Sequence, residues 1–580
     1  MLRPWFEAYP KRLEDELQAL ESFGIKWSPD EAAKQQGVIV LELSVPADVT
    51  GDGDLDLVAI YPDSFPYYRP EVFARSLELP RHQQPFAKNL CLLGRSTIQW
   101  DVDSTLAELL AEQLPEALRA GAVTDPHLLA SDPAEQAEPF SDYYTYWPSS
   151  CILVDSRMQV PPDHRAGRLV LGLERNCTLN VRGSLLEIQG PNRLSITRTS
   201  GTMRTRFPKR HGFRWIRLDH PLPYGRPSPE LEAWLQSEHP DVLVERSHWK
   251  PVQGGLVHIV GFLFPEERAP GHLEDGWLFL VLTCPTGARD AHWYYARTGF
   301  YDRRYLFTRI PELGFMPDMT VSLVGLGCLG ASIALELARA GVGTLRMMDG
   351  GCVDPGSTVR WPLGLTAVGC YKTQTIADHI ATEFPLTKPE PINWKLGQIR
   401  DQAVDGARPE WELVSQLVAS TNLVIDATAE FGVHHHLSDV AREQGVPYLT
   451  VSGVEGGWGG EIYRLVPGRT EGCWVCLQYW MRDKAVPEPA APPEGSGTVQ
   501  PAGCANPTYT GAGFDLGQIA LAAVQLAVST LSMGRTGQYP DPDWDYVIMS
   551  RRDVNGALTV PTWKTGQIST HPDCPICNAG

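Results

Sequence analysis

Val321-Ser-Leu-Val-Gly325-Leu-Gly327-Cys-Leu-Gly330 decides the fold of the C-terminal half of this chain. Val321–Val324 reads as a buried strand, which leads into G-x-G-x-x-G, and a helical pattern follows through Arg339. Glycines at these offsets let the backbone turn tightly and approach a ligand closely. The helix that begins there offers free amides and the positive end of its dipole. The stretch predicts a nucleotide site on a Rossmann-like unit. Alone it does not choose the nucleotide, because a dehydrogenase and an adenylating enzyme both begin this way.

The surroundings narrow the choice. Val321–Val324, Leu345–Met348, Leu423–Ile425 and Tyr448–Val451 alternate with helical patterns, as the strands of a doubly wound sheet do. Asp349 follows the last glycine at about the spacing of a carboxylate that accepts from ribose hydroxyls, which leaves a nicotinamide-dependent oxidoreductase in play. Arg360 and Lys372 pull away from it: one guanidinium and one ammonium on the same side of a nucleotide suit a triphosphate. Cys473-Trp-Val-Cys476 and Cys574-Pro-Ile-Cys577 form two C-x-x-C knuckles that can give four thiolates to one tetrahedral zinc. About a hundred residues separate the knuckles, so the site staples distant segments; a redox pair is the other reading.

Together the glycine turn, Asp349, Arg360, Lys372, the V-I-D-A-T segment at 424–428 and the paired knuckles resemble the ThiF-like, ubiquitin-activating superfamily over residues 301–580. The resemblance implies ATP- and Mg²⁺-dependent adenylation of a protein C-terminus, usually one ending in glycine. Asp349 would bind ribose, and Arg360 and Lys372 the phosphates. Two positions depart from the pattern. The slot usually held by a magnesium-binding Asp is Ala429, with Glu430 beside it as the candidate ligand, and Ser357 stands where an Asn is usual. Thioester-forming members carry their cysteine between the first knuckle and the next long helix. Cys504 is the only cysteine there, ahead of the predicted helix Asp515–Leu531. Such enzymes are commonly homodimers whose N-terminal arginine reaches the partner's ATP, for which Arg303 and Arg304 are candidates.

The N-terminal segment carries a second constellation. A helix over roughly residues 5–22, strands Val38–Val45, Leu55–Tyr61 and Glu71–Ala74, and a helix from Thr105 to Ala120 predict an α+β unit. Tyr61-Pro62, Phe65-Pro66, Pro70, His82, Cys91-Leu92 and Trp100 resemble ubiquitin-conjugating enzymes. By that resemblance Cys91 holds a thioester. The usual His-Pro-Asn triplet is His82-Gln83-Gln84 here, so Gln84 or Asn89 would have to polarise the thioester carbonyl. His82 is a catalytic candidate whose other reading is a structural hydrogen-bonding residue. Between the two ends, Leu169–Leu173, Leu185–Ile188, Leu256–Phe264 and Gly276–Cys284 predict a β-rich middle. The expected fold is therefore multidomain: an α+β conjugating-enzyme-like fold at 1–145, a β-rich linker domain at 146–300, and an α/β Rossmann-like activating domain with structural zinc at 301–580.

Bulk composition agrees with a globular protein of several domains: 580 residues, 43% hydrophobic and 21% charged. A net charge of −19 argues against broad binding to nucleic acid or anionic membrane. The charged N-terminus lacks the apolar core of a signal peptide, and no uninterrupted apolar run reaches about 18 residues, so a cytoplasmic protein is expected. Its twelve cysteines are then read as thiols or ligands before disulfides. The basic stretch 203–217 reads as a solvated strand pair, with docking of an acidic partner as its sharper alternative. The triplet His434–His436 spreads its imidazoles over different helix faces and argues against a metal site.

The domain order resembles the fused bacterial conjugation enzymes of CBASS anti-phage operons, which ligate the C-terminus of a cGAS-like nucleotidyltransferase to lysine-bearing targets. A bacterial ubiquitin-like protein as the conjugated partner, a sulfur-carrier adenylyltransferase and a catalytically dead scaffold are the alternatives.

Overall fold

The computed structural model describes residues 3–92, 100–133, 135–174, 176–199, 201–207, 209–398, 409–500, 508–535 and 539–578. Its contacts group into two compact units: 1–200 with 207–299, and 201–206 with 300–580.

In the first unit, β1 (Lys26–Pro29), β2 (Val40–Val45), β3 (Leu55–Ile60) and β4 (Glu71–Phe73) form an antiparallel sheet in chain order. The sequence alternates as a one-faced sheet requires: Leu41, Leu43 and Val45 are buried, while Glu42 and Ser44 are exposed. Helices Pro10–Ser22 and Leu106–Gly121 carry Leu20, Leu106, Leu110 and Leu114 into the same core. Thr105 and Glu108 close a capping box at the start of the second helix. Glu16 ties the two helices and the sheet together. Its carboxylate accepts from Tyr61 OH at 2.9 Å and Leu106 N at 3.2 Å, with Arg12 at 3.0 Å, and burial pushes its pKa up.

The rest of this unit is a closed β structure. β5 (Tyr146–Val154), β6 (Ala166–Leu173), β7 (Arg182–Gln189), β8 (Ser195–Arg198), β9 (Arg210–Arg217), β10 (Lys250–Val252), β11 (Gly255–Ala269), β12 (His272–Pro285) and β13 (His292–Phe300) pair in the order β10-β11-β12-β13-β5-β7-β6-β9. A parallel pairing of β9 with β11 closes the ring, with β8 and β10 at its margins. The basic stretch 203–217 is not a solvated strand pair. Gly201–Arg206 is helical and groups with the second unit, and β9 buries Phe213, Trp215 and Ile216 while Arg210 and Arg214 stay exposed. Alternating apolar residues outweigh the local charge, because β9 lies between two paired strands.

The second unit is built on an eight-stranded sheet of order β16-β15-β14-β17-β18-β19-β22-β23. β14 (Thr320–Val324), β15 (Thr344–Met348), β16 (Lys388–Ile392), β17 (Leu423–Asp426) and β18 (Tyr448–Gly453) are parallel. β19 (Gly459–Leu465), β22 (Tyr546–Arg552) and β23 (Leu558–Gly566) extend the sheet antiparallel; β20 (Thr498–Val499) and β21 (Thr508–Tyr509) form a separate pair. The chain runs outward from β14 to β15 and β16, then returns to the other side of β14 with β17. That reversal opens a crevice at the carboxyl ends of β14 and β17, where doubly wound sheets hold ligands. One described helix, Gly513–Ser532, is long and apolar enough to cross a membrane, and 56% of its most apolar window is buried within the protein. Its Ile519, Ala523 and Ala527 belong to the sheet's core.

Candidate active site

The three glycines after β14 do different things. Gly325 sits at φ 85°, and a Cβ there would lie 2.8 Å from the carbonyl carbon of Ala427. A Cβ on Gly330 would lie 1.8 Å from Gly325 O, so the helix could not pack against the turn. Gly327 meets nothing within 4 Å, which leaves backbone open to the crevice. Asp349, at the end of β15, holds this turn: Oδ2 accepts from Leu326 N and Oδ1 from Gly351 N, each at 2.7 Å. Lys372 Nζ lies 3.7 Å from the same carboxylate. Gly325, Gly327, Asp349, Lys372 and Glu430 line one cavity of about 310 Å³. Trp394 and Lys395 complete its wall, and Lys395 Nζ stands 3.8 Å from Glu430 Oε1. The sequence gives no signal for this pair, because it follows β16, whose Lys388-Pro-Glu-Pro-Ile392 reads as a loop. Two ammonium groups and a backbone turn facing one cavity can neutralise a polyphosphate.

Across the crevice, Asp426 is fully buried and carries the next segment. It accepts from Thr428 N at 3.0 Å, Thr428 Oγ1 at 2.7 Å and Tyr448 OH at 3.1 Å, and it faces His434 Nδ1 at 2.9 Å. Of the His triplet, His434 is thus a buried structural residue. The Asp426 cluster fixes Thr428, places Ala429 in the left-handed region at φ 55°, and leaves the half-exposed Glu430 carboxylate at the cavity.

Arg360 is elsewhere. Its guanidinium donates to Thr508 Oγ1 at 2.9 Å and to Tyr509 O, on β21. β20 and β21 pair through Thr498 and Tyr509, so they bracket the segment that contains Cys504, which itself lies outside the described residues. Ser357 N–H closes a turn to Asp354 O. Arg303 makes a two-pronged pair with Asp318 at 3.1 and 2.9 Å, and the Arg304 guanidinium lies 5.5 Å from the Tyr305 ring centroid.

The four knuckle cysteines converge. Sγ of Cys473 lies 3.8 Å from that of Cys476 and 3.7 Å from that of Cys574, and Cys476 lies 3.6 Å from Cys577. All four sulfurs are within 4.8 Å of one another. A tetrahedron of Zn–S bonds near 2.3 Å has edges of about 3.8 Å, so the donor set fits a zinc ion.

In the first unit, Cys91 is exposed, and its N–H donates to His82 O at 2.7 Å. Partial desolvation of the thiol and the Glu138 carboxylate push its pKa up, against an opposing pull from Arg69. His82 adopts φ 56° and is clamped: Nε2 faces Glu135 at 3.3 Å, Nδ1 faces Glu138 at 3.2 Å, and its N–H donates to Glu138 at 3.0 Å. Gln84 is occupied too, with Nε2 donating to Tyr143 O at 3.1 Å and Oε1 accepting from Phe86 N at 2.6 Å. The Asn89 side chain makes no hydrogen bond among the described residues, which leaves it the freer of the two amides.

Comparison with known proteins agrees with this layout. Residues 301–540 match the ThiF family, and residues 19–151 match Prokaryotic E2 family B. The chain belongs to a family of similarly built proteins that includes "Uncharacterized protein y4oA" of Sinorhizobium fredii, 30% identical over 98% of this chain and 97% of the relative. It is 27% identical to the SAMP-activating enzyme E1 of Haloferax volcanii, over 48% of this chain and 88% of that enzyme. Among solved structures, E. coli MccB with ATP aligns over 46% of this chain and 68% of MccB at 14% identity, with a TM-score of 0.33. The chain is therefore similar to enzymes of the E1-like adenylyltransferase superfamily and carries an E2-like domain at its N-terminus.

Proposed function

We propose that the second unit adenylates the C-terminal carboxylate of a protein and that two cysteines then carry the acyl group to an amine. The cavity at the reversal of strand order, which gathers the glycine turn, Asp349, Lys372 and Glu430, carries this reading. A substrate carboxylate oxygen attacks the α-phosphorus of ATP, the bond to the β-phosphate oxygen breaks, and pyrophosphate leaves. Lys372 and Lys395 balance the phosphate charge, and the Asp349 carboxylate, already positioned by two amides, accepts from ribose. Glu430 would hold Mg²⁺, which supplies further charge neutralisation when bound. Cys504 thiolate attacks the acyl carbon and expels AMP. Cys91 takes the acyl group by thioester exchange, and a target lysine amine displaces it as an amide. The chemistry is balanced, with one ATP consumed per bond formed.

Arg360 in this reading anchors Thr508 and Tyr509, which follow Cys504 in the chain. The four knuckle cysteines hold structural zinc, and the enzyme is a homodimer. A Gly-ending protein is the acyl donor, with a cGAS-like nucleotidyltransferase in CBASS anti-phage defence as the favoured candidate and a bacterial ubiquitin-like protein as the alternative. The test incubates the full chain with ATP and the nucleotidyltransferase and follows reductant-sensitive adducts. Cys504→Ala should abolish every thioester, whereas Cys91→Ala should trap one on Cys504. A Cys91 adduct in Cys504→Ala would overturn the relay order, and adenylate without any thioester would favour a sulfur-carrier adenylyltransferase.

A further inference from the structure

The residues at 82–84 are already engaged. Both ring nitrogens of His82 face carboxylates, and the Gln84 amide is bonded to Tyr143 O and Phe86 N. The next polar groups beside Cys91 come from segment 135–143, which is pinned in place. Buried Arg81 pairs with Glu135 at 3.0 Å and with Glu267 of β11 at 2.6 Å, and Glu267 also accepts from Glu138 N at 2.9 Å. A 3₁₀ turn over Phe140–Tyr143 then brings a half-buried phenol onto a nearly buried carboxylate. Tyr143 OH donates to Glu138 Oε2 at 2.9 Å, and the Glu138 side chain is 9% exposed. The same carboxylate accepts from His82 N at 3.0 Å, while His82 O accepts from Cys91 N at 2.7 Å. Hydrogen bonds thus lead from the Cys91 backbone through His82 and Glu138 to the Tyr143 hydroxyl.

The three ionisable groups act on one another. Burial and Glu138 push the Tyr143 pKa up, and the charge of a Cys91 thiolate pushes it further; Glu138 opposes that thiolate in turn. Tyr143 therefore stays a neutral phenol. A lysine acceptor has an ordinary pKa of about 10.4, arrives as an ammonium and attacks only after losing a proton. A phenol hydrogen-bonded to a carboxylate can take a proton from outside while handing its own inward, and later reverse the transfer.

We propose that Tyr143 is a catalytic residue of amide formation, relaying the acceptor amine's proton to Glu138. The proposal rests on the reading of Cys91 as the acyl carrier. The lysine ammonium gives one proton to water, and the neutral nitrogen bonds to the thioester carbon. Tyr143 Oη takes a second proton from that nitrogen as its own moves to Glu138. The carbon–sulfur bond then breaks, and Glu138 returns the proton through Tyr143 to the Cys91 sulfur. An amide, a thiol and one released proton balance the step.

The test loads Cys91 of the full chain in two ways: with ATP and the nucleotidyltransferase, and with the mercaptoethanesulfonate thioester of N-acetylglycine. Mass spectrometry of the Cys91 peptide follows discharge to free lysine and to hydroxylamine, which is neutral at neutral pH and needs no base. Tyr143→Phe and Glu138→Gln should each slow lysine discharge about a hundredfold and hydroxylamine discharge less than about threefold. The sign for Glu138→Gln separates two roles. If the carboxylate acted only on the thiol, its removal would improve the leaving group and speed discharge. Lysine discharge that is unchanged or faster in either variant, or equal slowing with both nucleophiles, would overturn the relay. If both variants slow lysine discharge from the synthetic thioester but ATP never loads Cys91, the carrier reading fails and the relay stands. Loading by ATP with an unslowed lysine rate in the variants sinks only the relay.

Discussion

Ala429 occupies left-handed backbone space that favours glycine, asparagine or aspartate. Ala429→Gly should therefore stabilise the protein by about 0.5–1 kcal/mol in urea unfolding. Lys372 lies beside Asp349 on the cavity wall, and Lys372→Ala should lower pyrophosphate exchange by about a hundredfold or more while the fold persists. At Cys91, partial desolvation and Glu138 both disfavour the thiolate. Glu138→Gln removes a negative charge, so the thiol pKa should fall and iodoacetamide labelling of Cys91 at pH 8 should speed up, as read by peptide mass spectrometry. No acceleration would mean that Glu138 does not govern the thiol. The site was partly legible: Gly325, Gly327, Asp349 and Lys372, all singled out in the sequence, line one cavity, whereas Gly330 packs under the turn and Arg360 lies elsewhere. Trp394, Lys395 and the buried Asp426–His434 pair were not legible, because each depends on which strands become neighbours.

At the scale of elements, the strands predicted from apolar runs recur with shifts of a few residues, since burial on both faces of β14 and β17 leaves a continuous hydrophobic signature. β16 was invisible. Its sequence, Lys388-Pro-Glu-Pro-Ile392, reads as a loop, and it forms a strand because prolines are tolerated at a sheet edge. β19 and β22 bury Arg464 completely, where it donates to Asp541 at 2.8 Å and Trp544 O at 2.9 Å. Arg464→Met should cost about 1–3 kcal/mol, because it removes the donors to Pro542 O and Trp544 O, while Asp541 keeps Arg469 as its partner. Burial alone would raise the pKa of Asp541, but hydrogen bonds from Arg464 and Arg469 outweigh it and hold the carboxyl below its ordinary value. A lowered folded-state value contributes stability above the unfolded pKa, about 4, that is lost as the pH falls through the folded one. Asp541→Asn should flatten that part of the acid unfolding curve.

For the whole molecule, the chain forms two units, each with its own hydrophobic core, and the proposed chemistry divides between them: activation and Cys504 in the second, Cys91 in the first. The knuckles join chain segments 101 residues apart within the second unit. One zinc per chain should be found by elemental analysis, and Cys574→Ser should release it and lower the unfolding temperature of that unit alone. The division into activation and transfer rests on the cavity after β14 being an adenylation site. ATP–pyrophosphate exchange by the full chain, with a protein ending in glycine as acceptor, tests that most directly. An adenylation site there gives acceptor-dependent exchange that disappears in Asp349→Ala and persists in Cys504→Ala and Cys91→Ala. NAD binding in the same cavity without any exchange would contradict it.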